Sequence, residues 1–183
     1  SEFNFCYSLT HSGLVFYGGL LGAVVGIGLY CKIHKEKMIE YLDIIFSLLP
    51  LGQSIGRFGC FLNGCCYGKA YDGFAAVLYP IDGSKILVFP TWFVESFLCM
   101  ILFLYMQFIC KKRTRGYHTS VYLLGYSVIR FLVEFMRGDE IRGVWGSIST
   151  SQIISIAIFC IGLKILNKQN LFMNDMLEER NKK

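Results

Sequence analysis

Five stretches of mostly apolar residues, each long enough to cross a hydrocarbon core, constrain this chain more than any single motif in it. A helix needs roughly 17–25 apolar residues to make that crossing. Such runs occupy Gly13 to Cys31, Leu42 to Leu62, Thr91 to Cys110, Thr119 to Met136 and Thr150 to Leu166. Of the 183 residues 54% are hydrophobic and only 17% charged, and the mean hydropathy is +0.49. That excess is too large for a soluble domain of this size. The expected fold is all-α: a polytopic transmembrane helical bundle of about five spans. The second connector contains the runs FAAVLYP and KILVFP between Asp72-Gly73 and Pro90, with Asp82-Gly83 between them. Asp-Gly pairs favour tight turns, so a small outer-face hairpin or irregular loop is expected between spans two and three.

The connectors orient the bundle. Lys32, Lys35 and Lys37 follow the first span, and Lys111, Lys112, Arg113 and Arg115 follow the third. The tail carries Lys164, Lys168, Arg180, Lys182 and Lys183, whereas the connectors Asn63 to Pro90 and Arg137 to Ser149 mix acids with bases. By the positive-inside rule the first, third and tail segments are cytoplasmic. The net charge of +5 therefore reads as an orientation signal at the membrane, and no nucleic-acid partner is expected. Ser1-Glu2-Phe3 reads as a cloning remnant at the head of an outer segment over 1–12, with no initiator Met and no signal peptide. The expected organisation is a transmembrane domain over 13–166 and a polar cytoplasmic tail over 167–183.

Arg57, in LGQSIGRFGCFLNGCCYG, lies between Gly56 and Gly59 near the outer end of the second span. A guanidinium stays charged in essentially any protein environment. Inside a span it costs at least a few kcal/mol, so it faces a cavity and meets an anion or polar partners. Gly52, Gly56 and Gly59 are expected to leave room around it. In the fourth span Tyr126, Arg130, Glu134 and Arg137 are spaced by four, four and three, so they share one helix face. Arg130 and Glu134 can pair within the helix. Such a pair could merely lock the bundle, but depth favours a site. With alternating span directions Arg57, Glu95, Arg130, Glu134 and Arg137 all fall in the outer leaflet, as does Tyr17. Arginines outnumbering carboxylates there predict a net-positive cavity suited to an anionic phospholipid. Gln152, near the outer end of the last span, either lines that cavity or hydrogen-bonds across helices.

The motifs GLVFYGGLLG, IGRFGCFLNGCCYG, FPTWFVES, LGYSVIRFLVEFMRGDE and ISTSQIISI stand in the order and spacing of bacterial prolipoprotein diacylglyceryl transferases, and the chain resembles that family from Gly13 to about Leu166. The resemblance implies a plasma-membrane enzyme that moves the diacylglyceryl group of phosphatidylglycerol to the lipobox cysteine of a lipoprotein precursor, releasing glycerol 1-phosphate. It implies no metal and no nucleotide cofactor. Arg57 and Arg130 match the two arginines the family relies on, and Asn63, Gly68, Tyr126 and Glu134 match further motif positions. Tyr17 stands where relatives often carry a histidine, Cys60 where they carry an asparagine, and Phe89-Pro90-Thr91-Trp92 replaces a His-Pro-Ser/Thr-Gln stretch, although Glu95 fits. The family normally has more spans and a larger outer head.

On this reading Arg57 and Arg130, with Glu134 and Tyr17, form the catalytic set. Asn63, Gly68, Glu95, Tyr126, Arg137 and Gln152 are the expected lipid-binding positions. The partners are phosphatidylglycerol or a related anionic phospholipid, the lipobox cysteine and the bilayer. The arginines would hold the phosphate, and the attacking thiol must lose its proton to Glu134, Glu95 or the phosphate itself. Two other classes compete. Cys60, Cys65 and Cys66 raise thiol–disulfide chemistry, against which stand the missing Cys-x-x-Cys pair and the poor geometry of adjacent cysteines; a zinc site there lacks a fourth ligand, with His11 and His118 not convincingly near. A non-catalytic phospholipid-binding protein, or a relative with another acceptor, would use the same cavity.

Overall fold

The computed structural model describes residues 14–63, 66–81, 84–109, 115–138, 144–145 and 148–181. It divides into two units, Ser1–Tyr41 and Leu42–Lys183, each described by itself. In the first, helix α1 (Leu14–His34) ends where Lys35 turns left-handed at φ 56°. The Glu36 N–H then donates back to the Cys31 carbonyl at 2.9 Å, the bond that closes a Schellman-type helix end.

Helix α2 (Met38–Leu62), which belongs to the second unit from Leu42 on, leads into the antiparallel hairpin β1 (Val77–Ile81) and β2 (Ser84–Val88), in which Leu78 pairs with Leu87 and Tyr79 with Ile86. Helix α3 (Thr91–Leu104) follows, with Pro90 at its N-cap and a π-helical turn, Tyr105–Ile109, at its far end. Helix α4 (Tyr117–Glu134), the two-residue strands β3 (Val144–Trp145) and β4 (Ile148–Ser149) and helix α5 (Thr150–Asn181) complete the chain. The polar segment after 166 thus continues α5 as helix.

The mostly helical fold and its small hairpin are as the sequence predicts. Among the described residues three helices are long and apolar enough to cross a membrane: Met38–Leu62, Thr91–Ile109 and Thr150–Gln169. In α1 the apolar part among the described residues, Gly22–His34, is shorter. Helix α4 is 18 residues long, and Arg130 and Glu134 on its polar face lower its hydropathy.

Period-2 alternation puts Tyr79 and Val88 on the inner face of the hairpin, where they form a core with Trp92; Cys60, Phe61, Cys66 and Tyr67 pack against it. The Tyr79 hydroxyl donates to the Phe61 carbonyl at 2.6 Å, and Thr91 Oγ1 to the Cys66 carbonyl at 2.9 Å. The first bond fastens the hairpin to the C-terminal end of α2, and the second ties the start of α3 to the segment that follows α2. Next to β2, the segment around Gly68 bonds on both sides: Gly68 N–H to the Phe89 carbonyl at 3.2 Å and Lys69 N–H to the Met136 carbonyl at 3.0 Å. A Cβ at Gly68 would collide with the Phe89 carbonyl oxygen, and one at Gly138 would sit 2.6 Å from the Gly68 oxygen. Only glycine permits this backbone-to-backbone packing. Lower in the bundle Leu102, Met106 and Tyr122 form a second core joining α3, its π-helical turn and α4.

Candidate functional site

Four helices of the second unit bring polar side chains to one level, at the hairpin end of the bundle. Arg57 lies five residues before the end of α2, Glu95 in the second turn of α3, Arg130 four residues before the end of α4, and Ser151 in the first turn of α5. Glu95 is the hub. Its side chain is 2% exposed, and its Oε1 pairs with Arg57 Nη2. Its Oε2 lies 3.8 Å from Arg130 Nη1. Arg130 Nη2 reaches Glu134 Oε2 at 2.9 Å, one turn along α4, and donates to Ser151 Oγ at 3.2 Å. Arg57 Nη1 approaches Cys60 Sγ at 3.8 Å.

These contacts bring together two arginines and two carboxylates, so the expected excess of positive charge is absent from the cluster itself. The physical reason is desolvation: a buried guanidinium left without a counter-charge is costly. Pairing is nevertheless incomplete. Arg130 Nη1 is buried with no hydrogen-bond acceptor among the described residues, and the approach of Arg130 to Glu134 Oε2 is that of an ion pair whose geometry falls short of a hydrogen bond. A buried donor without an acceptor costs about 1–3 kcal/mol, and an anionic oxygen would satisfy it.

The floor under the cluster is polar as well. Ser54 and Ser96 share a hydrogen bond at 3.0 Å, and Gln53 Nε2 donates to the Tyr122 hydroxyl at 2.9 Å. Tyr126 stacks on Tyr122, ring centroids 5.6 Å apart, which places it one turn below Arg130 on the same face of α4. Between α4 and α5 runs an apolar crevice of about 270 Å³, with Val128, Leu132, Ile156 and Phe159 among its lining residues.

Among the described residues of the second unit, the remaining predicted positions have surroundings of their own. Gly52, Gly56 and Gly59 are on the exposed side of α2, with nothing among the described residues within 4 Å of where a Cβ would stand. Asn63 is exposed in the turn after α2 and bonds back to the Gly59 carbonyl at 2.9 Å. Gly68 is held between Phe89 and Gly138, and Arg137 is buried beside it, opposite Gly68 in an isolated bridge. Gln152 is committed elsewhere. Its Oε1 accepts from the Ser149 N–H at 3.0 Å while its own N–H donates to Ser149 Oγ at 3.2 Å, a capping box that starts α5. Tyr17 belongs to α1, and its side chain lies outside the described residues. Cys65 also lies outside them, while Cys60 and Cys66 are thiols packed against the Trp92 core. Among the described residues no group of three or more His, Cys, Asp or Glu side chains is arranged to hold a metal. The hub role of Glu95 was not readable in the sequence. The signal that pointed toward it was a carboxylate one turn inside an apolar run.

The family model for prolipoprotein diacylglyceryl transferase matches residues 4–167. This chain belongs to the prolipoprotein diacylglyceryl transferase family. Among its relatives, the phosphatidylglycerol–prolipoprotein diacylglyceryl transferase of Clostridium tetani is 36% identical over 160 residues, covering 85% of this chain and 64% of the relative. A second transferase of that name from Clostridium perfringens is 35% identical over 164 residues, covering 87% and 64%. That of Chlorobaculum tepidum is 31% identical over 159 residues, covering 85% and 55%. The chain therefore spans under two thirds of the length of these transferases. Family membership and three spanning-length apolar helices make it a membrane protein.

Proposed function

We propose that this chain supplies the phospholipid-binding and reacting centre for transfer of the diacylglyceryl group of phosphatidylglycerol to the cysteine thiol of a lipoprotein precursor, with release of glycerol 1-phosphate. The observation that carries the proposal is the convergence of Arg57 and Arg130, from separate helices, on one buried carboxylate inside an apolar bundle. Guanidinium groups recognise phosphate through paired, directed donors. The Arg130 donor that lacks an acceptor is the first that a phosphate oxygen would engage.

In the reaction the thiolate sulfur attacks the glyceryl carbon that bears the phosphate ester. A sulfur–carbon bond forms, the carbon–oxygen bond breaks, and the departing phosphate oxygen keeps the electron pair. Donors fixed beside that oxygen stabilise the charge it gains. Glu95 is shared by two arginines and is fit to space them. Among the described residues Glu134 pairs with Arg130 and not with Arg57, and it is the better placed carboxylate to take the thiol proton. The apolar crevice along α4 suits an acyl chain. Tyr126, below Arg130, is a candidate to contact the glycerol portion, and Tyr17, Asn63, Gly68 and Arg137 remain candidates around the headgroup. By the positive-inside rule the hairpin end and its cluster face the outer leaflet of a bacterial plasma membrane, and the C-terminus is cytoplasmic.

The test is transfer from phosphatidylglycerol in vesicles to a synthetic lipobox peptide, read as glycerol 1-phosphate released and thioether formed. Arg57→Ala and Arg130→Ala are each expected to lower transfer by at least about a hundredfold, the scale of losing a charge-stabilising donor. Cys60→Ser and Cys66→Ser should leave transfer largely intact. The reverse pattern would favour thiol chemistry. Phosphatidylglycerol binding without any release of glycerol 1-phosphate would leave a non-catalytic binder.

A further inference from the structure

Asp43 lies far from the arginine cluster, near the other end of α2, and is 2% exposed. Its carboxylate is fully engaged by the start of α4. Oδ2 accepts from the Gly116 N–H at 2.6 Å. Oδ1 accepts from the Thr119 N–H at 2.9 Å and from Thr119 Oγ1 at 2.7 Å. The first N–H groups of a helix have no partner within it, and a side chain at the N-cap commonly supplies one. Here Gly116 stands at the N-cap with φ 85° and has no side chain to offer. The cap of α4 is delivered by a different helix, and a carboxylate there also meets the favourable end of the helix dipole.

Contacts then climb α2 and α4 in the same order. Asp43 meets Gly116 and Thr119; Phe46 stacks on Tyr122 at 5.0 Å; Gln53 bonds the Tyr122 hydroxyl; and Arg57 and Arg130 meet at Glu95. The two helices run in the same direction. Arg57 follows Asp43 by fourteen residues, and Arg130 follows Gly116 by fourteen. Two helical arms of equal length, about 21 Å at 1.5 Å per residue, rise from one fixed point and deliver the two guanidinium groups to one level.

We propose that Asp43 is a positioning residue for the arginine pair: its carboxylate sets the axial register of α4 against α2, so that Arg57 and Arg130 reach the same carboxylate. The proposal rests on the reading of that pair as the phosphate-binding centre. Its mechanism is geometric, since misplacement of a reacting group by about 1 Å can cost a hundredfold in rate.

Three substitutions, two of them also combined, test it in the full chain in vesicles. Asp43→Glu keeps the carboxylate but lengthens the arm, shifting α4 along its axis. It is expected to unfold within a few degrees of the parent and yet lose about tenfold or more in kcat for transfer, with KM for phosphatidylglycerol changing less. A parent-like midpoint with parent-like kcat would reduce Asp43 to a cap and overturn the proposal. Asp43→Asn replaces one acceptor by a donor facing the Gly116 N–H, and is read with Glu95→Gln in a double-mutant cycle of thermal unfolding. Sites this far apart ordinarily add. Register control predicts that the double variant loses clearly less than the two single losses together, because α4 is already displaced. Strict additivity would overturn the proposal. The cycle needs no activity, so it stands even if Arg57→Ala proves fully active and the transfer reading falls.

Discussion

Glu95 holds the site together at the scale of single residues. It takes Arg57 and Arg130 at once from a position 2% exposed to solvent. Removing one partner of a buried ion pair leaves the other charge uncompensated, at a cost of about 3–5 kcal/mol. Among the described residues Glu95→Ala leaves Arg57 with no ion-pair partner, while Arg130 keeps Glu134, and it is expected to unfold at a markedly lower temperature than the parent. Arg57→Met, which removes a charge and fills its space, should be milder. A Glu95→Ala midpoint equal to that of Arg57→Met, measured by thermal unfolding in detergent, would mean that the carboxylate does not carry this load.

At the scale of elements, two features that look like ligand contacts in the sequence have structural work to do. Gln152 caps α5 through Ser149, so Gln152→Ala should cost about 1 kcal/mol of stability. A loss of transfer beyond what that destabilisation explains would return Gln152 to the lipid site. Gly68 lies between the Phe89 backbone and Gly138. Gly68→Ala must push these segments apart, and it is expected to loosen the hairpin end, read as faster amide exchange at Lys69 and Phe89. Unchanged exchange at those amides would show that the packing tolerates a methyl group.

On the scale of the whole molecule, the arginine cluster and the Asp43 cap occupy opposite ends of α2 and α4. If the basic connectors set the orientation, the hairpin faces outward. A membrane-impermeant amine reagent added to intact cells should then label exposed Lys69 and Lys85 of the hairpin end and spare exposed Lys35 and Lys37. Labelling of the second pair from outside would invert the topology and put the cluster in the inner leaflet.

Helices, hairpin and family could be read from the chain alone, because each is written in local signals: apolar run length, Asp-Gly turns, and motifs of fixed spacing. The face shared by Tyr126, Arg130 and Glu134 was legible for the same reason, as was the pairing of Arg130 with Glu134. Arg137, expected on that face, lies beyond the end of α4 in a bridge with Gly68, because the helix stops at Glu134. Only the tertiary structure decided that Glu95 stands between the arginines, that Gln152 turns back on its own helix, and that Asp43 caps a helix more than seventy residues away. Those outcomes depend on which helices are neighbours and at what axial offset. Helical periodicity fixes the face a side chain occupies; it carries no record of what is packed opposite.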